Sequence, residues 1–117
     1  MRPLALLLAL ATLPGCAMLE GEGEEVLVVS NQDPQPLRVI FIIEQVEGGF
    51  RVFGEDLSLE GHGSRTFDVT MRPGAHRAHI TTSTGADEVL AFEIPEKGDT
   101  QIELSVHRRG ATLRLTH

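Results

Sequence analysis

Phe67-Asp68-Val69-Thr70-Met71-Arg72-Pro73-Gly74-Ala75-His76 decides the fold class. Phe67, Val69 and Met71 fall on one side of an extended chain, and Thr66, Asp68 and Thr70 fall on the other. Arg72-Pro73-Gly74 then forces a turn, because proline presets φ and glycine accepts positive φ. Ala78 and Ile80 carry the alternation onward. Apolar residues recurring every second position on both sides of a turn predict two strands, each with one face in a core.

Moving outward, the same grammar repeats. Thr84-Gly85-Ala86-Asp87 is a turn, after which Leu90, Phe92 and Ile94 share a face. Pro95-Glu96-Lys97-Gly98 turns again into Ile102, Leu104 and Val106, with Gln101, Glu103 and Ser105 opposite. Arg108-Arg109-Gly110 makes a hairpin into Ala111, Leu113 and Leu115. Upstream, Leu57 and Leu59 alternate with Asp56, Ser58 and Glu60 before Gly61-His62-Gly63. Gly48-Gly49 turns into Phe50–Phe53. Leu37–Glu44 contains Val39-Ile40-Phe41-Ile42-Ile43, apolar at every position, as expected of a central strand covered on both faces. Val26–Ser30 is the first strand, ended by Asn31-Gln32-Asp33-Pro34-Gln35-Pro36, whose prolines cannot donate to a ladder. No segment after the leader has a helical period. The fold class expected is all-β, a single small antiparallel β-sandwich over residues 26–117; a small barrel is the structural alternative.

Ahead of that domain the composition changes. Residues 17–25 are small and acidic and read as a flexible tether of about 15–18 Å r.m.s. reach. Residues 1–15 are a leader: Arg2, then the apolar run Leu4–Leu13, then Pro14-Gly15 before Cys16, the sole cysteine. A bilayer-spanning helix needs about 20 apolar residues, so the run is too short to span. Its layout is that of a secretory signal peptide.

Leu13-Pro14-Gly15-Cys16 resembles the lipobox of bacterial lipoproteins, with Pro14 where that family usually has Ala, Ser or Thr. The resemblance implies cleavage before Cys16, lipidation of its thiol and amine, and anchoring of the domain to a membrane. Ala17 stands where Asp is the usual inner-membrane retention signal, which points to the outer membrane. Several acyl chains, each gaining about 0.8 kcal/mol per buried CH₂, give stable anchoring.

The strand, Pro-Gly turn and strand of Phe67–His76 resemble those of bacterial immunoglobulin-like and transthyretin-like modules. Asn31-Gln32-Asp33-Pro34-Gln35-Pro36-Leu37-Arg38-Val39 and Phe50 are similar to the first long strand, and its lead-in, of the outer-membrane lipoprotein of type VI secretion systems. The chain without its leader is shorter than those proteins and lacks the aromatic that usually closes that strand region.

The 117-residue chain has a formal charge of −7, becoming −8 without Arg2. That balance opposes binding to nucleic-acid phosphates and electrostatic adhesion to an anionic membrane. There is no Trp and no Tyr, so aromatic platforms for sugars or single strands are missing. With Cys16 committed to lipid no disulfide can form inside the domain.

The five histidines, His62, His76, His79, His107 and His117, show no ligand spacing. His76 and His79, three apart on a strand, point to opposite faces, and surface histidines are expected. Ser64 after Gly61-His62-Gly63 lies outside any Gly-x-Ser-x-Gly frame, with no helix following. Asp56, Glu60, Asp68, Asp87, Glu88, Glu93 and Glu103 are scattered without the pairing an acid–base site needs. The sequence therefore predicts no enzyme, no catalytic or metal residue and no cofactor. Its one site residue is Cys16. The expected function is a lipid-anchored cell-envelope sandwich with a binding or structural role toward an envelope protein. The alternatives are a secretion or envelope assembly subunit, which would use part of Val39–Ile43 as an interface, and a periplasmic metal or small-ligand carrier using the histidines.

Overall fold

The computed structural model describes residues 23–96 and 99–116. The leader, Cys16, the tether up to residue 22, Lys97-Gly98 and His117 lie outside the described residues. The alternation read from the sequence becomes eight strands: β1 (Gly23–Asn31), β2 (Leu37–Gln45), β3 (Phe50–Leu59), β4 (Ser64–Met71), β5 (Gly74–Thr82), β6 (Asp87–Ile94), β7 (Gln101–His107) and β8 (Gly110–Thr116). A single 3-10 turn, Glu47–Gly49, joins β2 to β3.

The strands form two four-stranded sheets, ordered β4-β1-β7-β8 and β3-β2-β5-β6. Leu27 and Val29 of β1, Val69 and Met71 of β4, and Ile102, Leu104 and Val106 of β7 meet Val39, Phe41 and Ile43 of β2, Leu57 and Leu59 of β3, Ala78 and Ile80 of β5, and Phe92 and Ile94 of β6. Each such aliphatic or aromatic side chain contributes about 1.5–3 kcal/mol by leaving water. Phe41, Phe53 and Phe67 form a ring cluster between the sheets, with centroids 5.3–6.2 Å apart. The all-β sandwich expected from the sequence is therefore present.

Several expectations are corrected in detail. The sheets are antiparallel except where β1 and β7 run parallel, Leu27 opposite Ile102 and Val29 opposite Leu104. Parallel neighbours need a long crossover; here the chain supplies it by building the whole second sheet and β4 in between. In the immunoglobulin order the second strand sits beside the first and fifth, whereas β2 pairs with β3 and β5. The immunoglobulin-like alternative falls, and the transthyretin-like one remains.

Phe50–Phe53 and Leu57–Leu59 belong to one ten-residue strand. A register shift beside Ile43 and Glu44 places Ile43 opposite Phe53 but Glu44 opposite Arg51, so one extra residue reverses the pattern of the strand's first turn side.

β1 begins at Gly23 rather than Val26. Glu25, expected in the acidic tether, is buried, and its Oε1 accepts the Met71 amide at 3.1 Å. An inward carboxylate at the end of a paired strand is tolerable because it satisfies a backbone donor. Most consequentially, β2 is covered on one face only.

Candidate functional site

In β2, Leu37, Val39, Phe41 and Ile43 are buried, while Arg38, Ile40, Ile42 and Glu44 project from the other side of the sheet. Directly opposed residues on neighbouring strands share a face. One row across the open face of the second sheet therefore reads Gly54, Ile42, His79, Val89. The next reads Asp56, Ile40, Thr81, Asp87. Ile40 is 41% exposed and Val89 60%. β-branched side chains at these positions favour the strand even where nothing covers them.

Charged pairs flank Ile40 and Ile42, and one of them, through His79, stands between Ile42 and Val89. Arg38 donates from Nε and Nη2 to the two Asp56 carboxylate oxygens at 2.9 and 2.7 Å. Those hydrogen bonds hold the Asp56 carboxyl below its ordinary pKa and raise that of Arg38. On the other flank Arg77 Nε donates to Glu44 at 3.0 Å. His79 Nε2 and Asp87 Oδ1 are 2.8 Å apart. All three pairs are solvent-exposed, so each contributes little to stability; their effect is to order a polar rim. An apolar centre with a polar rim is the anatomy of a protein-docking surface.

The residues singled out in the sequence disperse over the fold. Asp56 and Asp87 belong to the pairs just described. Glu103 accepts hydrogen bonds from Arg114 and Gln101. Asp68 and Glu93 are exposed strand residues, Glu60 ends the β3 side of the turn, and Glu88 lies against Gly110. Ser64 opens β4 opposite Ser30. His62 takes a left-handed φ of 59° in the β3–β4 turn, its amide donating to the Asp33 carbonyl at 3.0 Å. His107 Nδ1 accepts the Arg109 amide. Among the described residues no group of three or more His, Cys, Asp or Glu is placed to hold a metal.

His76 departs from the surface role expected of it. It is fully buried, 5.6 Å from the Phe92 ring in a stacked arrangement, with Nδ1 3.0 Å from the Gly74 carbonyl. Its Nε2 is buried without a hydrogen-bond partner. His79, three residues on, faces the opposite side, as strand alternation requires.

Sequence reasoning passed over the other end of the sandwich, where buried Asn31 and Asp33 tie three loops together. Asn31 Nδ2 donates to the carbonyls of Gln35 (2.8 Å) and Glu60 (3.0 Å), and its Oδ1 accepts the Asp33 amide. Asp33 Oδ2 accepts the Arg108 amide at 2.8 Å. Asn and Asp two apart before a proline are a signal for such side-chain-to-backbone bonds.

The described residues thus define a class, a small two-sheet β-sandwich, here with apolar residues on the outer face of the second sheet. No family model and no curated protein matches the chain. Solved structures resemble it. The T6SS lipoprotein TssJ1 from Pseudomonas aeruginosa is 11% identical with a TM-score of 0.56, over 80% of this chain and 96% of that one. A protein from Eubacterium rectale is 13% identical with a TM-score of 0.51, over 80% and 89%. At such identities the likeness shows the sandwich fold.

Proposed function

We propose that this chain is a lipid-anchored, non-enzymatic β-sandwich of the bacterial cell envelope, held in the outer membrane through acylated Cys16, which docks another envelope protein. The observation that carries the docking role is the uncovered face of the second sheet, where Ile40, Ile42 and Val89 lie among ion pairs. The anchor rests on Leu13-Pro14-Gly15-Cys16. A second reading, a subunit of a secretion assembly, is favoured by the likeness to TssJ1, itself described as a T6SS lipoprotein.

Mass spectrometry of the membrane fraction tests the anchor. A chain beginning at diacylated or triacylated Cys16 is expected, with Cys16→Ser leaving the leader uncut; an intact Met1 with a free Cys16 thiol overturns it. A photo-crosslinker at Ile42 in whole envelopes tests the docking face. A discrete adduct lost in Val89→Glu is expected, and no adduct, or one indifferent to Val89→Glu, overturns it.

A further inference from the structure

The chain comes into the sandwich beside an exposed apolar corner. Gly23, the first described residue, pairs with Met71 at the end of β4. Thr70, Met71 and Arg72 line an open groove of about 420 Å³ together with Gln45, Phe50 and Val52. Phe50, which lines that groove, is 66% exposed, and Val46, next in the chain to its Gln45, is 43% exposed.

The corner is built rather than loose. Gly48 and Gly49 have φ of 85° and 68°, in the region that favours glycine. A Cβ on Gly48 would stand 2.5 Å from the Phe50 ring, so the ring lies against that glycine. The Val46 amide is tied to the Ala75 carbonyl and the Gly49 amide to that of Val46. The other four phenylalanines serve the core; Phe50 serves nothing inside the fold.

Charges of both signs surround this corner. Glu47 and Arg51 lie either side of Phe50 in the chain, Arg72 lines the same groove, and Glu44 is paired with Arg77. Glu93 and Glu96 lie across the same end of the molecule, beside Pro73 and Ile94. The contact this corner offers is the apolar one made by Phe50 and Val46.

Six residues lie between Cys16 and Gly23, and the seven Cα–Cα steps reach at most about 25 Å when extended and about 13–16 Å r.m.s. for a random chain. A bilayer holding Cys16 is therefore within reach of this end. We propose that Phe50 and Val46 rest on that bilayer, the Phe50 ring at headgroup depth, as a second contact that orients the domain. An apolar contact added to an acyl anchor is the two-signal logic of membrane attachment. With this corner down, the loops around Asn31, Gly61 and Arg108 point away from the lipid, and the Ile40–Val89 face stands sideways to the membrane. This inference rests on the lipid-anchor reading.

The chain has no tryptophan, so a single one reports locally. Acylated full-length Phe50→Trp, Val46→Trp and Ile40→Trp are reconstituted into vesicles of phosphatidylethanolamine with a minor share of phosphatidylglycerol, with and without brominated lipid. Phe50→Trp and Val46→Trp are expected to shift to the blue and to lose at least half their emission to bromolipid, while Ile40→Trp keeps its own. Protein that floats with the vesicles but shows equal, weak quenching at all three sites overturns the membrane contact and leaves the anchor standing. Protein that does not float overturns both.

Discussion

The carbonyl oxygen of Pro34 lies against Gly61 so closely that a Cβ on that glycine would stand 2.0 Å from it. The β1–β2 loop thereby seats directly on the β3–β4 turn, and the Asn31 and Asp33 bonds close the remaining gap. The end of the sandwich away from Gly23 is consequently a rigid platform of three interlocked loops.

Gly61→Ala should destabilise the domain by about 1–3 kcal/mol, the usual range for forced overpacking. The obstacle is backbone rather than a flexible side-chain tip. Urea denaturation of the variant checks this, and a wild-type midpoint would show that the two loops separate freely.

Asn31→Ala should cost about 1–3 kcal/mol, since it strips partners from the carbonyls of Gln35 and Glu60 and from the Asp33 amide. Hydrogen exchange should also quicken at the amides of His62 and Arg108, which the same knot holds. Unchanged exchange at both would mean that the loops are held by other contacts.

Truncating Phe41, fully buried in the ring cluster, should cost about 3–5 kcal/mol. Phe50→Ala should stay within about 0.5 kcal/mol, as for other exposed positions. Thermal melts of the pair separate a core phenylalanine from a surface one, and equal losses would contradict the different environments of the two rings.

Ile42→Glu should leave the melting transition nearly in place while abolishing crosslinks made from the open face. Partner capture that survives this substitution would move the docking surface elsewhere.

The Arg38–Asp56 pair supplies the pH dependence. Asp56 has a folded pKa below its unfolded one, so its contribution is present above the unfolded carboxylate range and is lost as pH falls through the lowered folded value. Asp56→Asn should therefore flatten the acid limb of the stability curve, slightly, because the pair is exposed and screened. Midpoints measured from neutral pH to about pH 2 decide it; a steeper acid limb in the variant would reverse the sign.

Which residues face inward was legible in the chain, because strand geometry sends successive side chains to opposite sides whatever the rest of the molecule does. Phe67, Val69 and Met71, or Ile102, Leu104 and Val106, could hardly be read otherwise. The turns at Arg72-Pro73-Gly74 and Arg108-Arg109-Gly110 were equally local, being set by φ preferences. The motif ending at Cys16, a short contiguous signal that needs no fold around it, lies outside the described residues and rests on the sequence alone.

What covers a face was not legible. Val39-Ile40-Phe41-Ile42-Ile43 is apolar on both sides, yet only one side meets the other sheet, since burial depends on the arrangement of segments far apart in sequence. The parallel pairing of β1 with β7, the inward turn of Glu25, the burial of His76 against Phe92 and the Asn31 knot have the same origin. Alternation determined in and out along the strands that alternate; which strand became whose neighbour, and therefore which polar groups were buried and which isoleucines left open, was decided only when the two sheets closed on one another.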